Sequence, residues 1–258
     1  MLFLLSPAKS LDYERPIARW PTRRPAFVAE STELIETLRK QSLADIAMLM
    51  NLSPALAELN VDRYARWRPR FTAHNSRPAV LAFDGDVYGG LEAMSLSEEQ
   101  LEWADQHLVI LSGLYGALRP LDALQPYRLE MGTALPNSRG SNLHAYWGDT
   151  LANYLNRRAR SQATPVIVNL ASQEYFGGVR QSGLKPRVVH CIFEDWKDDG
   201  YKVIGFYAKR ARGLMARYAV EKKIGTPDGL RGFAVDGYRY ARQQSAADRL
   251  VFRRRKLA

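Results

Sequence analysis

Three groups of polar residues stand just past apolar runs, where a chain leaving a strand can set them on a loop. Leu4-Leu5-Ser6-Pro7-Ala8-Lys9 ends the apolar N-terminal run on a lysine. Ligand sites in helix-flanked sheets gather beyond the carboxyl ends of strands, so Lys9 is placed to meet an anion. The Gly-x4-Gly-Lys-Ser/Thr pattern of a P-loop is absent, and a surface lysine after a turn reads equally well. Phe83-Asp84-Gly85-Asp86-Val87-Tyr88-Gly89-Gly90-Leu91 joins two carboxylates to three glycines. It reads as a flexible acidic turn that could bind a metal, activate a nucleophile or reverse the chain. Asp84 and Asp86 fit the start of a calcium loop, but the other ligands of EF-hand spacing do not follow, so calcium is not expected. Arg128 and Glu130 would share one side of an extended segment, pairing with each other or bracketing a polar ligand.

The most specific stretch is Leu111-Ser112-Gly113-Leu114-Tyr115-Gly116-Ala117-Leu118-Arg119-Pro120-Leu121-Asp122. Its apolar-x-Gly-apolar-x-Gly pattern resembles the hairpin of helix-hairpin-helix modules, in which closely spaced glycines bring backbone N–H groups against a DNA phosphate. Arg119 would add a second phosphate contact beyond it. The same pattern also occurs where a strand simply meets a helix, and Leu108 to Leu111 reads as a strand. No Ser-His-Asp or Cys-His set is evident. His74, His107 and His144 are isolated, and His190 and Cys191 are neighbours in a strand and so point to opposite faces; no metal site is expected.

These groups sit in a chain of 258 residues with 46% hydrophobic side chains, enough for a packed core, which excludes general disorder. One cysteine permits no internal disulfide and fits a reducing cytosol. The apolar start is cut off by Ser6-Pro7 and lacks a positive region before it, so it reads as a buried strand rather than a signal peptide. No run reaches the roughly 18 apolar residues of a membrane helix, and the chain is expected to be soluble and cytoplasmic. The net charge is +10, and segment 203–258 carries all of it, with 14 basic residues against 4 acidic. Lys209-Arg210-Ala211-Arg212, then Arg217, Lys222 and Lys223, and the tail Arg253-Arg254-Arg255-Lys256 are its densest parts. They read either as a solvated helix face with a frayed tail or as a phosphate-binding surface for nucleic acid or a phosphorylated small molecule.

Strands are expected at 2–5, 79–83, 108–111, 166–170, 188–193, 202–207 and 250–253. Helices are expected at 27–41 with Ser31 capping its core turns, then at 43–50, 54–67, from Ser97 to about 106, 143–160 and 208–224. Interleaved strands and helices predict an α/β, mixed α+β fold. It forms a single compact domain over 1–258, a mixed sheet flanked by helices. A helical lobe falls at 27–70, the helix-hairpin-helix-like segment at 97–125 and the basic C-terminal part at 203–258.

Taken in order, Ser6-Pro7-Ala8-Lys9, Gly85-Asp86-Val87-Tyr88, 111–122, 126–132, Trp147-Gly148-Asp149, 169–175 and Phe206-Tyr207-Ala208-Lys209-Arg210-Ala211-Arg212-Gly213-Leu214-Met215 resemble the YaaA family of bacterial peroxide-stress proteins. The resemblance implies a cytosolic protein that limits free intracellular iron under hydrogen peroxide. It also implies a fold with a helix-hairpin-helix element and a positively charged cleft for double-stranded or branched DNA. Carried onto this chain, the hairpin falls on Gly113, Tyr115 and Gly116 with Arg119 beyond it, and the cleft cations are Lys9, Lys209, Arg210 and Arg212. Neither a cofactor nor an obligatory protein partner is implied. The competing expectation is an enzyme acting on a nucleotide or other phosphorylated small molecule, with Lys9, Asp86, Tyr88, Arg128 and Glu130 as its acid, base and anion-binding groups.

Overall fold

A computed structural model describes residues 1–17 and 20–255. In chain order its strands are β1 (Leu2–Leu5), β2 (Ser10–Leu11), β3 (Arg77–Pro78), β4 (Phe83–Asp84), β5 (Leu108–Ser112), β6 (Gly116–Leu118), β7 (Ala123–Leu124), β8 (Val166–Asn169), β9 (Arg187–Lys197), β10 (Gly200–Lys202), β11 (Arg239–Tyr240) and β12 (Arg249–Arg254). One large sheet runs β11-β12-β9-β8-β1-β5-β6, with β10 paired to β9. Its five inner strands, β12, β9, β8, β1 and β5, are parallel, and β11, β6 and β10 are antiparallel to their neighbours. β1, β5 and β8 are buried at every residue, which is why they read as continuous apolar runs rather than alternating ones. β1 lies between β5 and β8, and the chain leaves β1 toward one side of the sheet and β8 toward the other. That reversal is a topological switch point.

The helices are α1 (Val28–Arg39), α2 (Leu43–Met50), α3 (Pro54–Arg66), α4 (Ala79–Ala82), α5 (Asp86–Leu91), α6 (Glu98–His107), α7 (Leu143–Arg160), α8 (Gln173–Gly177) and α9 (Gly205–Glu221), with a last short turn at Pro227–Leu230. α6 starts at a capping box of Ser97 and Gln100, as its sequence indicates. Ser31 does not cap α1. It is buried inside the helix, donating to Phe27 O and Leu114 O at 2.8 and 3.0 Å.

Local apolar patterning misleads in two places. The run 79–83 is mostly helical, because Ala79 to Ala82 are buried on every side and an apolar run does not fix the backbone period. Segment 202–207 is not a strand: β10 ends at Lys202 and α9 begins at Gly205.

The expected helix-hairpin-helix is corrected as well. Residues 113–115 form the turn between the antiparallel strands β5 and β6, with Ser112 opposite Gly116, the first residue of β6. Leu114 and Tyr115 are fully buried, and a Cβ on Gly113 would stand 2.2 Å from Leu129 O. Gly116 has φ +65 and presses its backbone onto the Trp147 ring. These glycines admit a tight turn and close packing, not an approach to phosphate. The tight two-helix hairpin lies earlier, where α2 turns into α3 through a left-handed Asn51. The basic tail is also not frayed as far as it is described: Arg253 and Arg254 belong to β12, and Lys256 lies outside the described residues.

Candidate functional site

A cleft of about 320 Å³ opens at the switch point, above the carboxyl ends of β1 and β8. Ser6 to Ser10 line one wall, Ser172, Glu174 and Tyr175 the next, and Asp84 to Val87, Glu130, Lys209 and Arg212 complete it. The two strand ends are tied together by Ser6, whose hydroxyl oxygen accepts from Ser172 N–H at 2.9 Å. The loop after β1 therefore cannot move independently of the loop after β8.

Glu130 organises the cations of one wall. Its carboxylate meets Lys9 Nζ at 2.8 Å and the Arg128 guanidinium at 3.1 Å, the pairing that the two-residue spacing in an extended segment allows. Lys9 is nonetheless well exposed, with 61% of its side chain open to solvent. The opposite wall comes from α9. Lys209 and Arg212 lie three residues apart and so on one helix face. Neither has a hydrogen bond or ion pair among the described residues, and burial lowers the pKa of the Arg212 guanidinium. Asp84 and Asp86 likewise carry side chains without partners among the described residues.

The glycine-rich segment that places Asp86 is the helix α5 rather than a flexible turn. It crosses α9 at backbone distance: a Cβ on Gly213 would fall 1.8 Å from Val87 O, and one on Gly90 2.3 Å from Arg210 O. Two glycines facing each other let the helices touch, and that contact fixes Asp86 relative to Lys209 and Arg212.

The fold thus brings together Lys9, Asp86, Glu130, Lys209 and Arg212, with Arg128 behind Glu130. Tyr88 lies beneath them, buried, with its hydroxyl donating to Ser6 O at 3.1 Å and its phenol pKa pushed up by burial. It supports the β1 loop and does not face a ligand as an acid. Arg210 sits outside the cleft lining and donates to Gly89 O. Arg119 is at an edge of the sheet, beyond the end of β6, paired with the buried Asp105 that precedes β5. Gly113, Tyr115 and Gly116 are in the core.

Ser6, Ser172, Glu174 and Tyr175 are cleft residues that motif reading did not single out as ligands, and Asp84, read there only as part of an acidic turn, joins them. Their signal was available: each lies within three residues of a cleft-lining strand end or within a polar segment following an apolar run. A larger groove of about 800 Å³ adjoins the cleft at Asp84. Its Arg15 and Arg66 are paired with Asp12 and Asp62, while its Arg63 has no carboxylate partner among the described residues and donates to Asn60 Oδ1 at 3.3 Å. Among the described residues no three His, Cys, Asp or Glu side chains gather as a metal site would, and no helix is long and apolar enough to cross a membrane.

A parallel-sheet α/β protein with a mixed-charge cleft at its switch point is the class that these features define. The family model described as peroxide stress protein YaaA matches residues 1–244. A UPF0246 protein of Bordetella petrii is 59% identical over 255 residues, covering 99% of this chain and 100% of that one. Another, from Leptothrix cholodnii, is 60% identical over 254 residues and 98% of each chain, and one from Polaromonas naphthalenivorans is 59% identical over 254 residues and 98% of each. The chain belongs to the YaaA peroxide stress protein family.

Proposed function

We propose that this peroxide-stress protein binds double-stranded or branched DNA through the basic rim of the cleft, contacting the phosphate backbone without reading base sequence. The observation that carries this reading is the unpartnered pair Lys209 and Arg212, which line the same cleft as Lys9. A half-buried guanidinium without a counter-charge is costly in the free protein, and a phosphodiester satisfies it with two parallel hydrogen bonds. Arg210 on the outer side of α9 extends the rim.

The test is fluorescence anisotropy with duplex, four-way-junction and single-stranded DNA across salt, comparing wild type with the triple variant Lys9→Ala, Lys209→Ala, Arg212→Ala. Loss of three phosphate contacts lowers the salt slope by about 3 and weakens all duplexes alike. Unchanged duplex affinity in that variant removes the reading. The resemblance adds a limit on free intracellular iron, which we place in the same proposal. Chelatable iron in peroxide-treated cells carrying wild type or the triple variant tests it, and equal iron in the two sinks the link.

A second reading has its own observation. The lining holds Asp84, Asp86, Glu130 and Glu174 beside its three cations, and carboxylates repel a phosphate backbone. A nucleotide or other phosphorylated small molecule suits such a cavity better, its phosphate on Lys9, Lys209 and Arg212 and a reacting proton taken by Asp86. Calorimetry with nucleoside phosphates separates the two: nucleotide binding that is abolished by Arg212→Ala, with no duplex binding at any salt, selects this second reading.

A further inference from the structure

The arginine-rich C-terminal strand is not part of the cleft, yet it builds a surface of its own. β12 and β9 are parallel and in register, so alternate residues of both strands share a face. One face, carrying Phe193, Asp195, Phe252 and Arg254, is buried. The other carries Glu194 and Trp196 on β9 and Arg249, Arg253 and Arg255 on and just past β12. β10 adds Tyr201 opposite Trp196, and β11 adds Arg239 opposite Arg253.

On this open face the cations and rings are already stacked. The Arg255 guanidinium lies 4.4 Å over the Trp196 ring, and Arg253 lies 4.4 Å over Tyr201. The two rings meet edge to face at 5.0 Å. Trp196 is 36% exposed, on a protein whose other tryptophans are all less so. Glu194 is the face's carboxylate, and it holds Arg253 at 2.8 Å. Four arginines against one glutamate leave a surplus of positive charge. Arg239 stands opposite Arg253 across the strands, and the single Glu194, shared by Arg253 and, at 3.9 Å, Arg249, leaves the group net positive, which an anion relieves.

From this juxtaposition we propose that the open face of β10-β9-β12-β11 is a second nucleic-acid surface, specific for single strands. Unpaired bases stack on the Trp196, Tyr201 and Arg255 planes while phosphates run along Arg239, Arg249 and Arg253. Flat rings on an exposed sheet, interleaved with arginine, bind any base by its face, whereas a duplex keeps those faces stacked inside and offers only phosphate. The strands β1 and β12 are separated by three inter-strand spacings, about 15 Å, and their carboxyl ends lie on one edge of the sheet. A branched substrate could therefore place its duplex arm in the cleft and its unpaired strand on this face.

The experiment measures binding of a fluorescein-labelled oligo-dT and of a duplex of equal length to the full chain. The double variant Trp196→Ala, Tyr201→Ala should weaken oligo-dT binding at least tenfold and leave duplex affinity within twofold, since only unpaired bases can stack on the two rings. Trp196→Phe, which keeps a ring, should restore much of the loss. Arg255→Glu, at an exposed position just past β12, reads out the same surface without touching the core. Oligo-dT binding that survives the ring and Arg255 substitutions overturns the proposal. So does a loss shared equally by duplex, or binding of phosphatidylserine vesicles with the same dependence on Arg255 when oligo-dT does not bind. Failure of the cleft reading looks different. In that case duplex binding is absent while oligo-dT binding persists, insensitive to Lys9→Ala, Lys209→Ala, Arg212→Ala and lost in Trp196→Ala, Tyr201→Ala.

Discussion

Arg119, just past the edge strand β6, and Arg212, on α9 in the cleft at the switch point, are both partly buried arginines, and their surroundings could hardly differ more. Arg119 shares the buried Asp105 with Arg23, and the other Asp105 oxygen accepts from Leu121 N–H at 2.9 Å. Its charge is consumed within the fold. Arg212 has no such partner among the described residues and faces a cavity with Lys9 and Lys209. The lesson is that a basic residue signals a ligand when the fold leaves its charge unanswered, not when it merely stands near a glycine motif. Stability should therefore depend on the first site and binding on the second.

The largest effect is expected where the charges are paired. Asp105→Ala leaves two guanidinium groups and a backbone N–H without their acceptor, and breaking a buried ion pair from one side costs about 3–5 kcal/mol. Urea unfolding should show that loss, with DNA affinity per folded molecule unchanged. A cost under about 1 kcal/mol would mean that Arg23 and Arg119 are satisfied by solvent and that the contrast with Arg212 is not one of partnership.

The same edge of the sheet carries a pH signature. Burial raises the Asp122 carboxyl from 3.8 to about 6, against the opposing pull of Arg119 N–H and of the Arg119 and Arg23 charges. The folded state therefore holds this proton more tightly than the unfolded chain does. Its stabilising contribution is complete below pH 3.8 and is lost as pH rises through about 6, a change of about 3 kcal/mol. Asp122→Asn should flatten stability between pH 4 and 6, as followed by chemical denaturation at each pH. An identical slope in wild type and variant would show that the carboxylate stays ionised beside its arginines.

A smaller loss is expected at the floor of the cleft. Gly213→Ala puts a methyl into Val87 O and must separate α5 from α9, at about 2 kcal/mol for an overpacked contact. Because Asp86 rides on α5, binding should fall with it, whereas an alanine at Gly205, where nothing lies within 4 Å, should leave both unchanged. Equal effects at the two glycines would deny the crossing any role in shaping the cleft.

How much of this was legible in the sequence follows from the same contrast. The all-apolar runs of β1, β5 and β8 announce buried parallel strands, and α2 and α7 fall on their expected bounds because capping residues and helical period agree there. Lys9, Asp86, Glu130, Lys209 and Arg212 could be named from their places past strand ends and on a basic helix. Their convergence could not, because it depends on the order of strands around β1 and on Gly90 meeting Gly213 across 123 positions of sequence. The hairpin at 113–116 shows the converse failure. Glycines spaced for backbone access are also glycines spaced for dense packing, and only the position of Trp147 and Leu129 against them decides which.

The smallest change in stability, and the sharpest form of the comparison, belongs to Arg212 itself. Replacing it with Met keeps the aliphatic stem and removes a half-buried charge that has no ion-pair partner among the described residues. The variant should be as stable as wild type or more so by about 1 kcal/mol, because apolar groups of similar volume often replace buried charges without loss. Duplex DNA, on the cleft reading, should bind about tenfold more weakly at low salt, which is one charge-assisted phosphate contact. The two measurements must move in opposite directions. If Arg212→Met loses stability on the scale of Asp105→Ala, the guanidinium has an internal duty and the cleft's free charge reduces to Lys9 and Lys209. If stability rises and affinity holds, the positive wall of α9 is an idle feature, and the phosphate site must be sought along the arginines of β12.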